Sequence, residues 1–132
     1  MNRRYSSNFT PPAPMVPLAV GVPGGPDERH IEGKMDSGAD LCALPEDLIV
    51  ELDLAPVRVV RAAGFGQPHQ DALLYHCALR FAGWEFEHVE ALATRRPYAL
   101  IGRNVLRHLV VKLDGPKSVL TITDPASRRR RR

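Results

Sequence analysis

Two segments of this chain combine acidic, small and hydrogen-bonding residues in an order that could do chemistry. The first is Met35-Asp36-Ser37-Gly38-Ala39-Asp40. Ile31 and Met35 alternate with Glu32 and Lys34, so the run before Asp36 reads as a strand, and Asp36 stands where that strand turns. Backbone N–H groups of such a turn can fix a carboxylate, and a small hydroxyl followed by glycine lets a second backbone approach closely. The second segment is Ala99-Leu100-Ile101-Gly102-Arg103-Asn104. The chemistry available to a positioned carboxyl is acid–base work on a water molecule. It needs two carboxyls: one ionised to take the water's proton, one protonated to polarise a carbonyl. Held about 3 Å apart they share one proton. Only one Asp-Ser-Gly is present, and 132 residues leave no room for a second lobe. A second Asp36 therefore has to come from a second protomer across a two-fold axis.

Together the two segments resemble the signatures of the retroviral-type (retropepsin-like) aspartic proteases: Asp-Thr/Ser-Gly-Ala, then an apolar-apolar-Gly-Arg-Asn/Asp run before the family's one helix. The likeness spans about residues 16 to 122. It implies a homodimeric aspartic endopeptidase that cleaves polypeptides without a cofactor, its single active site on the dimer axis. Asp36 matches the catalytic aspartate, Ser37 the hydroxyl that bonds across the dimer, and Gly38 the residue whose backbone faces substrate. Ala39 and Asp40 continue the loop along the substrate, and Asp40 matches one half of an intrachain ion pair whose other half is Arg103. Ile101, Gly102, Arg103 and Asn104 support the site. Ala63, Gly64, Phe65 and Gly66 match the tip of a flap that closes over substrate and excludes water. Val16 stands where relatives often carry a basic residue.

The elements that must position these residues are short. Leu18, Val20 and Val22 share one face of a first strand, Gly24 to Asp27 turns, and His30 to Met35 returns. Leu41 to Leu44 passes through the core. Pro45 opens a short helical turn with Glu46 and Asp47 near its positive end. Val57 to Arg61 and Leu73 to Phe81 read as strands, the latter the cleanest period of two in the chain. Trp84 to Val89 and Tyr98 to Ile101 follow, then a helix over 103–108 and a closing hairpin made of Leu109 to Leu113 and Val119 to Ile122. The sum is an all-β, small closed barrel-like fold with one short C-terminal helix. Residues 1–14 read as a flexible N-terminal arm, 15–124 as the protease-like domain, and 125–132 as a disordered Arg-rich tail.

Composition agrees with a globular chain: 44% hydrophobic and 25% charged, with 12 prolines that suit strands and turns better than a bundle. The formal charge of +3 misleads, because Arg128 to Arg132 contribute five positive charges. The remainder carries 13 Lys and Arg against 15 Asp and Glu, a balance of −2. The tail reads first as solvated, and second as a sequence-blind contact for nucleic acid or another polyanion. Cys42 and Cys77 fall on apolar faces with no paired base, so they read as core residues rather than nucleophiles. Two free thiols suit a reducing compartment, and with no signal-peptide pattern the expected location is cytoplasmic. No run is apolar enough for a membrane span, and the five histidines show no ligand spacing, so no metal is expected. The reading from a different class is a catalytically silent dimer of this fold that acts as a binding or scaffold domain.

Overall fold

The computed structural model describes residues 1–63 and 66–123. The strand β2 (Met15–Gly21) is buried along nearly its whole length, because Val16, Leu18 and Val20 face one side while the other is also covered. It pairs antiparallel with β3 (Glu28–Met35), Leu18 opposite Ile31 and Met15 opposite Lys34. After β4 (Cys42–Pro45) comes α1 (Glu46–Glu51), which starts directly after Pro45 and buries Leu48 and Ile49. Proline suits that position because a helix start leaves the backbone N–H unpaired anyway. The strand β5 (Pro56–Ala62) then pairs with β6 (Gln70–Phe81). Ala82 and Gly83, both at positive φ, make the tight turn into β7 (Trp84–Thr94). The short β8 (Ala99–Ile101), α2 (Arg103–Leu106) and the hairpin β9 (Val110–Asp114) and β10 (Val119–Thr123) complete the chain.

Seven strands lie in the order β2-β3-β8-β4-β7-β6-β5, and a further antiparallel pairing of β2 with β6 closes the first six into a barrel. The expected all-β barrel-like fold is therefore present. Two of its pairings are parallel: β3 with β8, Met35 opposite Ile101, and β4 with β7, Cys42 opposite Ala91. The short β8 thus lies between β3 and β4, the two strands that flank the Asp36 turn. Leu18, Leu44, Leu79, Ile101 and Val105 are among the side chains filling the barrel. At roughly 25 cal/mol per Å² of apolar area, each such side chain stabilises the fold by about 1.5–3 kcal/mol.

Three expectations change. The first four residues are not a free arm: β1 (Asn2–Arg4) pairs antiparallel with β10, Arg3 opposite Leu120, and a second sheet forms in the order β1-β10-β9. The Met1 carbonyl accepts from the Ile122 N–H at 2.9 Å, and Ser6 and Ala13 form an isolated bridge that buries Ala13. Three polar residues carry no periodicity of their own. They become a strand because β10 offers an unpaired edge. Second, β7 runs on to Thr94, five residues past the expected end, because the small Ala91 and Ala93 blur the alternation that marks a strand. Third, the helix over 103–108 is only four residues long. The C-terminal tail from 124 on, including Arg128 to Arg132, lies outside the described residues.

Candidate active site

The Asp36 turn is built by hydrogen bonds from the strand that precedes it and the segment that faces it. The Asp36 N–H donates to the Ile101 carbonyl at 3.0 Å, extending the β3–β8 ladder by one residue past Met35. The Ala39 N–H then donates back to the Asp36 carbonyl at 3.2 Å, which closes the turn. Within it, the Gly38 N–H donates to Asp36 Oδ1 at 3.0 Å. One carboxylate oxygen is thus held by the backbone while the other stays available, on a side chain that is half-buried rather than sealed in the core. A Cβ on Gly38 would come within 3.2 Å of the same Oδ1, so that position is tight for any larger residue.

The second segment fastens this turn from outside. The Arg103 N–H donates to the Ala39 carbonyl at 2.8 Å and the Asn104 N–H to the Asp40 carbonyl at 3.2 Å. Arg103 spans the loop with its guanidinium: Nη1 donates to the Ser37 carbonyl at 2.9 Å and Nη2 pairs with the Asp40 carboxylate. This is the intrachain ion pair that the family resemblance implies. Both side chains are more than half exposed, so its net electrostatic worth is small and its effect is to orient the loop.

Gly102 explains why this contact is so close. Its φ of −90° and ψ of −179° are open to any residue. A Cβ there would nevertheless lie 2.5 Å from both C and O of Leu41 and 2.9 Å from the Cys42 nitrogen. Only the missing side chain allows the two backbones to touch.

Sequence reasoning missed the part played by Cys42 and by the backbone of β7. The Gly102 N–H donates to Cys42 Sγ at 3.3 Å, while Asn104 Oδ1 accepts from both the Cys42 N–H at 3.0 Å and the Cys42 thiol at 3.3 Å. Asn104 Nδ2 in turn donates to the Glu90 carbonyl at 2.9 Å. One amide therefore ties α2 to β4 and β7. An Asn three residues past a strand carries no spacing signal for such a link. Desolvation is the main reason the Cys42 thiol is pushed up to about 11, with the Gly102 N–H pulling it down somewhat. Desolvation, with the Cys42 charge second, raises Cys77 to about 12. Both stay protonated thiols near neutral pH, in keeping with core packing rather than nucleophilic chemistry.

Of the sequence-predicted residues, Asp36, Ser37, Gly38, Ala39, Asp40, Ile101, Gly102, Arg103 and Asn104 are brought together. Ser37 is exposed, and its hydroxyl makes no hydrogen bond among the described residues. Ala63 and Gly66 lie between β5 and β6 and form no hydrogen bond to the Asp36 turn; Gly66 takes a positive φ of 72°. Gly64 and Phe65 lie outside the described residues. Two concavities of the single chain, one bordered by Gly24, Glu28 and Arg80 and the other by Pro45, Thr94 and Pro97, include none of residues 36–40. Among the described residues no group of three or more His, Cys, Asp or Glu side chains is arranged to hold a metal ion. No helix there is long and apolar enough to cross a membrane.

No protein-family model matches this chain, and no curated protein matches it. Solved structures do. A retropepsin-like aspartic protease from Rickettsia conorii superposes with a TM-score of 0.66 at 16% identity, over 92% of this chain and 88% of that one. The fold is the retropepsin-like one. EIAV protease in complex with an inhibitor matches with a TM-score of 0.53 at 16% identity, over 72% of this chain and 86% of that one. The foamy viral protease-reverse transcriptase matches at 0.57 and 16% identity over 72% of this chain, which spans only 12% of that protein's length. In this retropepsin-like barrel the Asp36 turn and the Gly102 segment occupy adjoining loops, joined by the β3–β8 pairing.

Proposed function

We propose that this chain is an aspartic endopeptidase that works as a two-fold homodimer. Two Asp36 carboxyls, one from each protomer, share a proton around one water molecule. The ionised one takes the water's proton as the oxygen attacks the peptide carbonyl, and the protonated one donates to the carbonyl oxygen. The observation that carries this reading is the Asp36 turn itself: within a retropepsin-like fold, one carboxylate oxygen is fixed by the Gly38 N–H and the whole turn is clamped by Gly102 to Asn104. The exposed Ser37 hydroxyl, unpaired within its own protomer among the described residues, is free to bond across the axis. A groove over Asp36 forms only when the second copy supplies the opposite wall. The loop from Ala63 to Gly66 serves as the flap, with Ala39 and Asp40 alongside the bound polypeptide. No cofactor takes part, and the two protonated thiols suit work in the cytoplasm. The tail at Arg128 to Arg132 adds at most a salt-sensitive contact to polyanions.

Replacing Asp36 with Asn removes the ionisable group and keeps the shape. The parent protein should cleave a peptide library across pH 4 to 7 with a preference for the mildly acidic end, as a proton-sharing pair requires. The variant should melt at the same temperature and cleave nothing. Equal cleavage by both proteins overturns the proposal. A folded dimer that binds peptides without cutting them replaces it with the silent-scaffold reading.

A further inference from the structure

The strand that delivers Asp36 carries an unusual cation. Five residues of β3 bear charged or titratable side chains, and four of them have partners: Glu28 with Arg80, Arg29 with Glu51, His30 with Glu28, and Glu32 with Arg3. Lys34 alone forms no ion pair among the described residues. It is nonetheless held in place. Its ammonium sits 5.4 Å from the centre of the Phe9 ring and 5.9 Å from that of Tyr98, and the two rings meet edge to face at 5.3 Å. Two aromatic faces restrict a side chain that otherwise has many rotamers, and they do so without neutralising its charge.

Its position gives that charge a use. Residues two apart on a strand point to the same side and stand about 7 Å apart, so Lys34 shares a face with Asp36 at one strand repeat. Its neighbour in register on β8 is the half-exposed Leu100, and the same spacing puts Glu32, already paired with Arg3, one repeat the other way. An extended peptide lying over Asp36 spans the same distance in two residues, which brings a side chain near the scissile bond against Lys34. A carboxylate there would form a charge-assisted hydrogen bond with the ammonium, and a basic side chain would meet a like charge.

We propose that Lys34, held between Phe9 and Tyr98, forms a cationic subsite that selects an acidic side chain beside the cleaved bond. The proposal rests on the endopeptidase reading, and in a two-fold dimer each protomer's Lys34 serves one side of the bond.

The test uses peptide pairs that differ only by Glu or Gln at each position within three residues of the cleaved bond. For the parent, kcat/KM should favour Glu about tenfold at one or more of these positions, the size of one charge-assisted bond. In Lys34→Met, which keeps the apolar stem, that Glu-over-Gln preference should vanish. In Lys34→Glu it should turn toward Lys peptides. A Glu-to-Gln ratio that is the same in the parent and in Lys34→Met overturns the subsite. A binding arm separates this from failure of the endopeptidase reading. In the full-length Asp36→Asn protein, fluorescent Glu peptides should bind about tenfold more tightly than Gln peptides, and Lys34→Met in the same background should equalise them. If nothing is cleaved but this binding difference appears, the subsite stands and the protease reading falls. Equal binding, or none, removes the subsite.

Discussion

Gly102→Ala sets two physical arguments against each other, and its sign decides between them. Gly102 has φ and ψ that alanine adopts freely. Chain entropy alone therefore says the variant is more stable, by about 0.4–1 kcal/mol, because alanine leaves the unfolded chain fewer conformations. Packing says the opposite. The new Cβ would stand 2.5 Å from the carbonyl carbon and oxygen of Leu41 and 2.9 Å from the Cys42 nitrogen, all of them backbone atoms that cannot rotate aside. Forcing β4 away costs about 1–3 kcal/mol of overpacking strain. The same movement lengthens the Gly102 N–H to Cys42 Sγ bond and the Cys42 N–H to Asn104 Oδ1 bond, at 3.3 and 3.0 Å. Those losses add about 1 kcal/mol each where the groups stay buried. Set against the entropy gain, the net is about 3 kcal/mol of destabilisation, near 10 °C in melting temperature for a chain of this size. Thermal and urea unfolding followed by circular dichroism measure it. A variant that melts at or above the parent temperature would refute the packing account of the two loops, and with it the claim that close backbone contact orders the Asp36 turn.

The other links give separable outcomes. Asn104→Ala strands the buried Cys42 N–H and the Glu90 carbonyl, so it should destabilise by about 2 kcal/mol, and Asn104→Asp, which keeps the Oδ1 acceptor but sets a second oxygen against the Glu90 carbonyl, should destabilise as well; urea midpoints read both. Arg103→Met should cost only about 1 kcal/mol, since the Asp40 pair is exposed, yet lower peptide cleavage more than stability because the Ser37 carbonyl loses its anchor. A larger fall in stability than in activity would contradict that assignment. The thiols predict an alkaline limit. Folded values of about 11 for Cys42 and about 12 for Cys77 lie above the ordinary 9.0, so the unfolded chain ionises first. Their contribution is complete below pH 9 and falls away as pH climbs from there toward 11 and 12. Unfolding midpoints measured from pH 8 to 10.5 should decline for the parent and less so for Cys77→Ala, and a thiol reagent at pH 8 should label neither cysteine until denaturant is added.

The sequence alone determined whatever depends on neighbours along the chain. Alternating apolar residues marked β2, β3 and β6, because a strand's two faces repeat every second residue. Pro45 marked the start of α1, because proline has no N–H to lose there. Asp36-Ser37-Gly38 was legible as turn chemistry for the same local reason, whereas Gly102-Arg103-Asn104 stood out through the family resemblance. Partnership was not legible. Nothing in Asn2-Arg3-Arg4 announces that it will pair with residues 119–121, and nothing in Cys42 announces that its sulfur will accept the Gly102 N–H and its backbone meet Asn104. The φ of Gly102 is ordinary, and it is Leu41, sixty-one positions earlier, that forbids a side chain there. Those contacts exist only once β8 has slid between β3 and β4 and β6 has closed the barrel onto β2. Local pattern sets which way each side chain points; the tertiary fold alone decides what it meets.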